Sequence, residues 1–280
     1  MERSLGLMCG AGLLPARMAA EARRQGWRVI AFAFGQVSGI DAHADRFIPS
    51  RFAELGPVLE TLRTEGVSAT LFAGTFRLAD AVRLHQADTA TVKIAETAGS
   101  RAERALTGAV LSTLGALGID VLDQRPFLGD WLAPAGCWSE RRPTDVEWND
   151  VREGLRLAKS FADAGIGQTV VVKHGVIAAV EALEGTTAAI RRGGELAGAG
   201  AIAAKAVSRE NDYRFDVPAI GPETIDAAAD AGVAVVAIEA GRVLVVDRET
   251  LVRRADVAGL AVVGVDGAEA GNAGWSGSPT

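Results

Sequence analysis

The chain has 280 residues, 49% hydrophobic and 23% charged, with a formal net charge of −6 at pH 7. This is globular composition at a length that allows two domains, and an acidic balance with no basic stripe argues against nucleic acid as a partner. Cys9 and Cys137 stand far apart in unlike contexts, which gives neither a disulfide framework nor a zinc motif; with no signal-peptide stretch at the start and no apolar run near the roughly 18 residues of a membrane span, a cytoplasmic protein is expected.

Residues 5–9 read as a buried strand running into Gly10–Ala11–Gly12, and Pro15 opens a helix to about Arg24. Proline suits a first helical turn because the N–H it lacks would be unpaired there. A second strand is expected at 29–34, a helix at 53–65 from the spacing of Leu55, Val58, Leu59 and Leu62, and a third strand at 69–73 ending in Gly74. A helix at 101–117 and a short strand at 120–122 follow. Strands alternating with helices predict a parallel sheet wrapped by helices.

The stretch 126–143, with three prolines, two glycines and two tryptophans, breaks the rhythm and reads as an inter-domain connection. The predicted organisation is an N-terminal domain at 1–133, a connection at 134–147, a C-terminal α/β domain at 148–266 and a disordered tail at 267–280. Within the second domain we expect a helix at 148–164 and strands at 169–173 and 176–183 turning at His174–Gly175. A helix at 186–193, a strand at 201–207 and a helix at 222–231 come next. Strands at 233–238 and 243–246 read as a second hairpin, before a helix at 248–258 and a last strand at 260–265. No internal repeat is visible.

Several segments are candidates for chemistry. Gly10–Ala11–Gly12 between strand and helix has the geometry to present backbone N–H groups to a phosphate, or to make a tight corner only. It is not a full GxGxxG, and no Walker lysine follows. Thr75 and Arg77 would lie beyond the third strand's carboxyl end, where open α/β sheets bind ligands. Glu184–Gly185–Thr186 opens a helix, with Thr186 the expected N-cap. Arg191 and Arg192 suit that helix's C-terminus. His43, His85 and His174 lack metal-pair spacing, and no G-x-S-x-G elbow is present.

The stretch Arg214–Phe215–Asp216–Val217–Pro218–Ala219–Ile220–Gly221–Pro222–Glu223–Thr224–Ile225 is the most distinctive. Read as extended, it places Arg214 and Asp216 on one side and Phe215 on the other. A cation and a carboxylate beside a helix start suit a phosphate and a divalent metal; the other reading is a surface ion pair worth roughly 0–1 kcal/mol.

Those residues also carry a resemblance. The opening residues 6–15, Phe72–Ala73–Gly74, Val180–Glu181–Ala182 with Glu184–Gly185–Thr186, the string from Arg214 to Ile225, Glu239–Ala240–Gly241–Arg242 and Asp247 occur in this order in a family that the chain resembles over nearly its whole length: the LpxI-type UDP-2,3-diacylglucosamine diphosphatases. The resemblance implies a Rossmann-like N-terminal domain and a mixed α/β C-terminal domain with the ligand between them. It implies magnesium-dependent hydrolysis of a UDP-linked diacylated glucosamine to UMP and the lipid sugar phosphate, in lipid A synthesis. It also implies a homodimer and an approach to the membrane surface through the lipid substrate.

Carried over residue by residue, Asp216 matches the aspartate linked to catalysis, Arg214 would neutralise a phosphate, and Asp216 with Asp212 would hold Mg2+. Gly10, Ala11, Gly12, Glu184 and Thr186 match the family's motifs and would contact substrate; Thr75 is a further substrate contact from its place on the sheet rim, and the composition of the connection offers Trp131 and Trp138 for part of an apolar cleft for acyl chains. The chain departs from the family where Glu103 and Arg104 replace paired aspartates, where Thr187 follows Glu184–Gly185–Thr186 in place of aspartate, at Gly165, and at 208–211. Two alternatives therefore stand: a binder of nucleotide-sugar or lipid without turnover or with a shifted substrate, and, from the Gly10 loop, a dinucleotide oxidoreductase. For the latter, Phe34–Gly35–Gln36 occupy the place of the expected acidic residue.

Overall fold

The computed structural model describes residues 3–76, 87–99 and 103–267. The chain forms two compact units. The first comprises Met1–Gly129 together with Asp212–Asp216, and the second comprises Asp130–Asn211 and Val217–Thr280. The α/β, two-domain expectation holds. Arg77, His85 and the tail beyond Gly267 lie outside the described residues.

In the N-terminal unit, strands β1 (Arg3–Cys9), β2 (Trp27–Ala33), β3 (Arg46–Pro49), β4 (Ala69–Ala73) and β5 (Asp120–Val121) form one sheet in the order β3-β2-β1-β4-β5. All pairings are parallel. The two central runs are apolar without alternation because both faces are covered. Helices α1 (Leu14–Arg24), α2 (Leu55–Thr64), α3 (Thr89–Ala98) and α4 (Glu103–Ala116) accompany the sheet. Val58 and Leu62 of α2 join Met8, Ile30 and Phe32 in the core. A side chain at Gly6 would come within 2.6 Å of Leu62, so glycine there lets α2 lie close. Strand β3 was not expected; its exposed sequence Arg46–Phe47–Ile48–Pro49 is that of an edge.

The C-terminal unit is built on a six-stranded sheet. Its strands are β6 (Gly136–Cys137), β7 (Thr169–Lys173), β8 (Val176–Val180), β9 (Ala201–Lys205), β11 (Val233–Glu239) and β13 (Ala261–Val265), in the order β6-β13-β11-β9-β7-β8. Strands β9, β11 and β13 are mutually parallel, and β6, β7 and β8 run antiparallel to their neighbours. The helices are α5 (Asp145–Asp163), α6 (Thr186–Ala197), α7 (Pro222–Asp230) and α8 (Arg248–Val257). Helix α5 starts at a capping box between Thr144 and Glu147. It lays Val151, Leu155 and Ala158 on Val170, Val172, Ile202, Ala204 and Val235.

The β7–β8 hairpin turns at His174–Gly175 as expected, with φ of 51° and 75°. The second hairpin does not form. Val233–Glu239 is a central strand between β9 and β13, buried nearly throughout, and Leu244–Val245 (β12) pairs in parallel with Ala219–Ile220 (β10). Within the stretch read as a connection, β6 extends the sheet. Among the described residues no helix is long and apolar enough to cross a membrane.

Candidate functional site

In the N-terminal unit the loops after β1, β2 and β4 interlock at the sheet's carboxyl edge, at the point between β1 and β4 where the strand order reverses. Gly10 N–H donates to Ala73 O at 2.7 Å, Ala11 N–H to Thr75 O at 2.9 Å, and Thr75 N–H to Ala11 O at 2.9 Å. A Cβ at Gly10 would sit 2.6 Å from Thr75 O, and one at Gly74 (φ +87°) 2.6 Å from Ala11 O. Gly10, Ala11 and Thr75 are thus brought together. The amides of Gly10 and Ala11 donate to the neighbouring loop, which favours the tight corner of the two readings given for this turn. Gly12, at φ +105°, faces open space.

The segment Asp212–Asp216 belongs to this same unit. It is not extended. Phe215 N–H and Asp216 N–H both donate to Asp212 O, at 3.1 and 3.2 Å, closing one tight turn. Asp212 folds back on the chain: Oδ1 accepts from Arg214 N–H at 3.1 Å and from Nε at 2.8 Å, and Oδ2 accepts from Nη2 at 2.7 Å. Arg214 therefore pairs with Asp212 and not alongside Asp216. Its guanidinium holds the Asp212 carboxyl below the usual carboxylate range. Both oxygens of Asp212 are engaged, which makes it a poor ready-made magnesium ligand. Asp216 is exposed at the end of the turn. Two aromatic contacts seat the turn: Phe215 lies 5.0 Å from Phe72 of β4, and the Arg125 guanidinium stands 4.3 Å over the Tyr213 ring. Gln124 N–H adds a bond to Tyr213 O at 3.0 Å.

In the C-terminal unit, Glu184 forms an exposed ion pair with Arg192 that lowers its carboxyl pKa. Thr186 is not the N-cap. Gly185 takes that place at φ +84°, and Thr186 is the first residue of α6. Its hydroxyl donates to Glu181 Oε1 at 2.9 Å and accepts from Lys205 Nζ at 2.8 Å. Lys205 ends β9 and keeps only 7% of its side-chain surface exposed, with Glu181 Oε2 at 4.0 Å. One strand away Glu239 ends β11, accepting from Lys159 Nζ at 2.7 Å and Val207 N–H at 2.8 Å. Arg242 stands 3.8 Å from it.

Lys205, Glu181, Lys159 and Glu239 were not singled out from sequence. The available signal was a lone charge closing an otherwise apolar run, as in Ala201–Lys205 and Val233–Glu239. Ligands of open α/β sheets gather at this carboxyl edge. Trp138 packs at the sheet edge and donates to Pro134 O at 3.2 Å, and Trp131 lines a shallow surface hollow with Arg248 and Arg253.

Among the described residues no group of three or more His, Cys, Asp or Glu side chains could hold a metal. The donor set suits magnesium only in the arrangement where one or two carboxylates and the substrate's phosphates share the ion.

The family model described as the LpxI N-terminal domain matches residues 4–131, and that of the LpxI C-terminal domain matches residues 134–263. The chain belongs to the LpxI family. A relative from Caulobacter vibrioides, "UDP-2,3-diacylglucosamine pyrophosphatase LpxI", is 34% identical over 278 residues, covering 94% of this chain and 98% of its own. Two solved structures align with 65% of the chain. These are a glycinamide-RNase-transformylase T from Mycobacterium tuberculosis (17% identity, 44% of that chain, TM-score 0.25) and an N5-carboxyaminoimidazole ribonucleotide synthetase from Thermotoga maritima (18%, 42% of that chain, TM-score 0.24). Scores this low carry no argument about the LpxI fold.

Proposed function

We propose that this protein hydrolyses the diphosphate of UDP-2,3-diacylglucosamine, giving UMP and 2,3-diacylglucosamine 1-phosphate for lipid A synthesis. The observation that carries this reading is the near end-to-end match to a relative bearing that activity in its name. Water adds to one phosphorus and the bridging P–O bond breaks, so the chain must neutralise phosphoryl charge and orient a water. Asp216, exposed at the end of its turn, is the proposed carboxylate for orienting that water or sharing a magnesium ion with the substrate. Magnesium, when bound, would supply charge neutralisation at the phosphates. Arg214 would serve a phosphate only by leaving Asp212, an exchange of one surface ion pair for another. The lipid substrate would bring the protein to a membrane surface, and a homodimer is part of the proposal.

The test is UMP release from UDP-2,3-diacylglucosamine with and without magnesium, for the native chain and for Asp216→Ala. We expect magnesium-dependent release that falls at least 100-fold in the variant, the scale of losing a group that acts mainly in the transition state. A second reading, a binder without turnover or with a shifted substrate, is favoured by the departures from the family's carboxylate pattern, with Glu103 and Arg104 in place of paired aspartates and Thr187 in place of aspartate. It predicts ligand binding by the native chain with no UMP at any enzyme concentration.

A further inference from the structure

The carboxyl ends of β9, β11 and β13 enclose a half-open cavity of about 300 Å³, lying wholly within the C-terminal unit. Its wall carries Arg156, Lys159 and Ser160 from α5, Arg209 from the loop after β9, and Glu239 from β11. This is where three adjacent parallel strands end, the position at which doubly wound sheets take their ligands, and the volume is at the lower end of small-molecule sites.

The charges are arranged in two tiers. At the floor Glu239, with 6% of its side chain exposed, is matched by Lys159 at 2.7 Å. Lys159 spends one of an ammonium's three donors on that bond. At the rim Arg156 and Arg209 are 55% and 77% exposed and pair with Glu153 and Asp163, which do not line the cavity. Exposed pairs of this kind contribute little to stability. A phosphoryl oxygen offers the same guanidinium groups charge-assisted, bidentate bonds at low reorganisation cost. Each of the three cations already holds one carboxylate, and only the two rim partners, Glu153 and Asp163, lie outside the lining, so an anion entering the cavity would take their place on Arg156 and Arg209.

We propose that this cavity seats a phosphoryl group of the nucleotide-sugar reaction, held by Arg156 and Arg209 at the rim and Lys159 at the floor. The assignment rests on the diphosphatase reading for the identity of the phosphate's carrier. The lining residues of the cavity belong to the C-terminal unit, and Asp216 is assigned to the N-terminal one.

The experiment is calorimetric titration of the full-length protein with UMP and, separately, with glucosamine 1-phosphate. The proteins compared are native, Arg156→Ala/Arg209→Ala and Arg156→Lys/Arg209→Lys, with UMP release from UDP-2,3-diacylglucosamine followed in parallel. Both double variants change exposed side chains, so an unchanged thermal midpoint serves as the folding control. We expect the alanine pair to weaken binding of one phosphate ligand by about tenfold or more, the lysine pair to weaken it less, and added salt to weaken it in the native chain. Loss with UMP assigns the uridylyl phosphate to the cavity, and loss with glucosamine 1-phosphate assigns the sugar phosphate. Equal affinity of native and alanine-pair proteins for both ligands, or no binding of either by the native chain, overturns the proposal. UMP release with an unaltered KM in the alanine pair overturns the cavity and keeps the diphosphatase. Phosphate binding that depends on the two arginines, with no UMP release, keeps the cavity and removes the diphosphatase.

Discussion

Cys9 closes β1 inside the N-terminal sheet, fully buried, with its thiol donating to Leu7 O at 3.4 Å. Burial pushes its pKa from 9.0 up to about 12. Only the thiolate reacts, so the native chain at pH 8 should yield no modification at Cys9 with a thiol reagent, and Cys9→Ser should leave the rate of fast labelling unchanged. The same shift has a stability consequence. The folded state holds the proton more tightly than the unfolded one, so this contribution is complete below about pH 9 and is lost as the pH rises through about 12. Alkaline unfolding of the native chain should therefore begin earlier than that of Cys9→Ala corrected for the lost packing, read by circular dichroism across that window. At Asp150 the residue scale meets the turn that it serves. The buried carboxylate on α5 accepts His174 N–H at 2.7 Å and Gly175 N–H at 2.8 Å. It holds a two-residue turn in which both residues have positive φ. Asp150→Ala should cost roughly 2–3 kcal/mol, the worth of two bonds to a charged acceptor reduced by rehydration of an exposed turn. Asp150→Asn should cost about half as much, since one amide keeps an acceptor and the other meets an NH2. Denaturant titration separates the three proteins.

Helix α6 packs closely through two consecutive glycines, Gly193 against β7 of the sheet and Gly194 against the end of α7. A Cβ at Gly193 would lie 2.4 Å from Val171 Cβ, and one at Gly194 2.4 Å from Ala231 O. Gly193→Ala should destabilise by about 1–3 kcal/mol through overpacking. In α4, Gly108 meets nothing within 4 Å, and Gly108→Ala should stabilise by about 0.5–1 kcal/mol through helix propensity. Thermal midpoints moving in opposite directions are the expected result. At this scale the sequence was readable where periodicity and turn chemistry agree. The central strands, α5 and the His174–Gly175 turn were all legible. The run 233–246 misled because two apolar stretches around Gly241 look like a hairpin. The deciding feature is that Val233–Glu239 has no polar alternation, the mark of a strand covered on both faces. Strand β3 escaped because an exposed edge carries little apolar pattern. At the candidate site the motif positions were legible, but their partners were not. Asp212 takes Arg214 from Asp216 through a side-chain turn, and Lys205 reaches Thr186 across 19 positions of sequence, which no local spacing records.

The N-terminal unit draws five of its residues, Asp212–Asp216, from a place in the sequence more than eighty positions beyond its main body. Those residues anchor through Phe215 on Phe72 and Tyr213 beneath Arg125. Phe215→Ala should therefore loosen β4, seen as faster amide exchange at 69–73, while β9 and β11 of the other unit keep their protection. A matching loss in both units would show that the segment is not a part of the first. The same arrangement sets an order of events during synthesis. Residues 1–129 leave the ribosome without the segment that completes their aromatic contacts, and at about 5–20 residues per second the missing turn follows roughly 4–17 s later. Throughout that interval the nascent N-terminal sheet carries Phe72 without its Phe215 partner, and Asp216, the proposed catalytic carboxylate, takes its seat only after Asp130–Asn211 of the second unit has been translated.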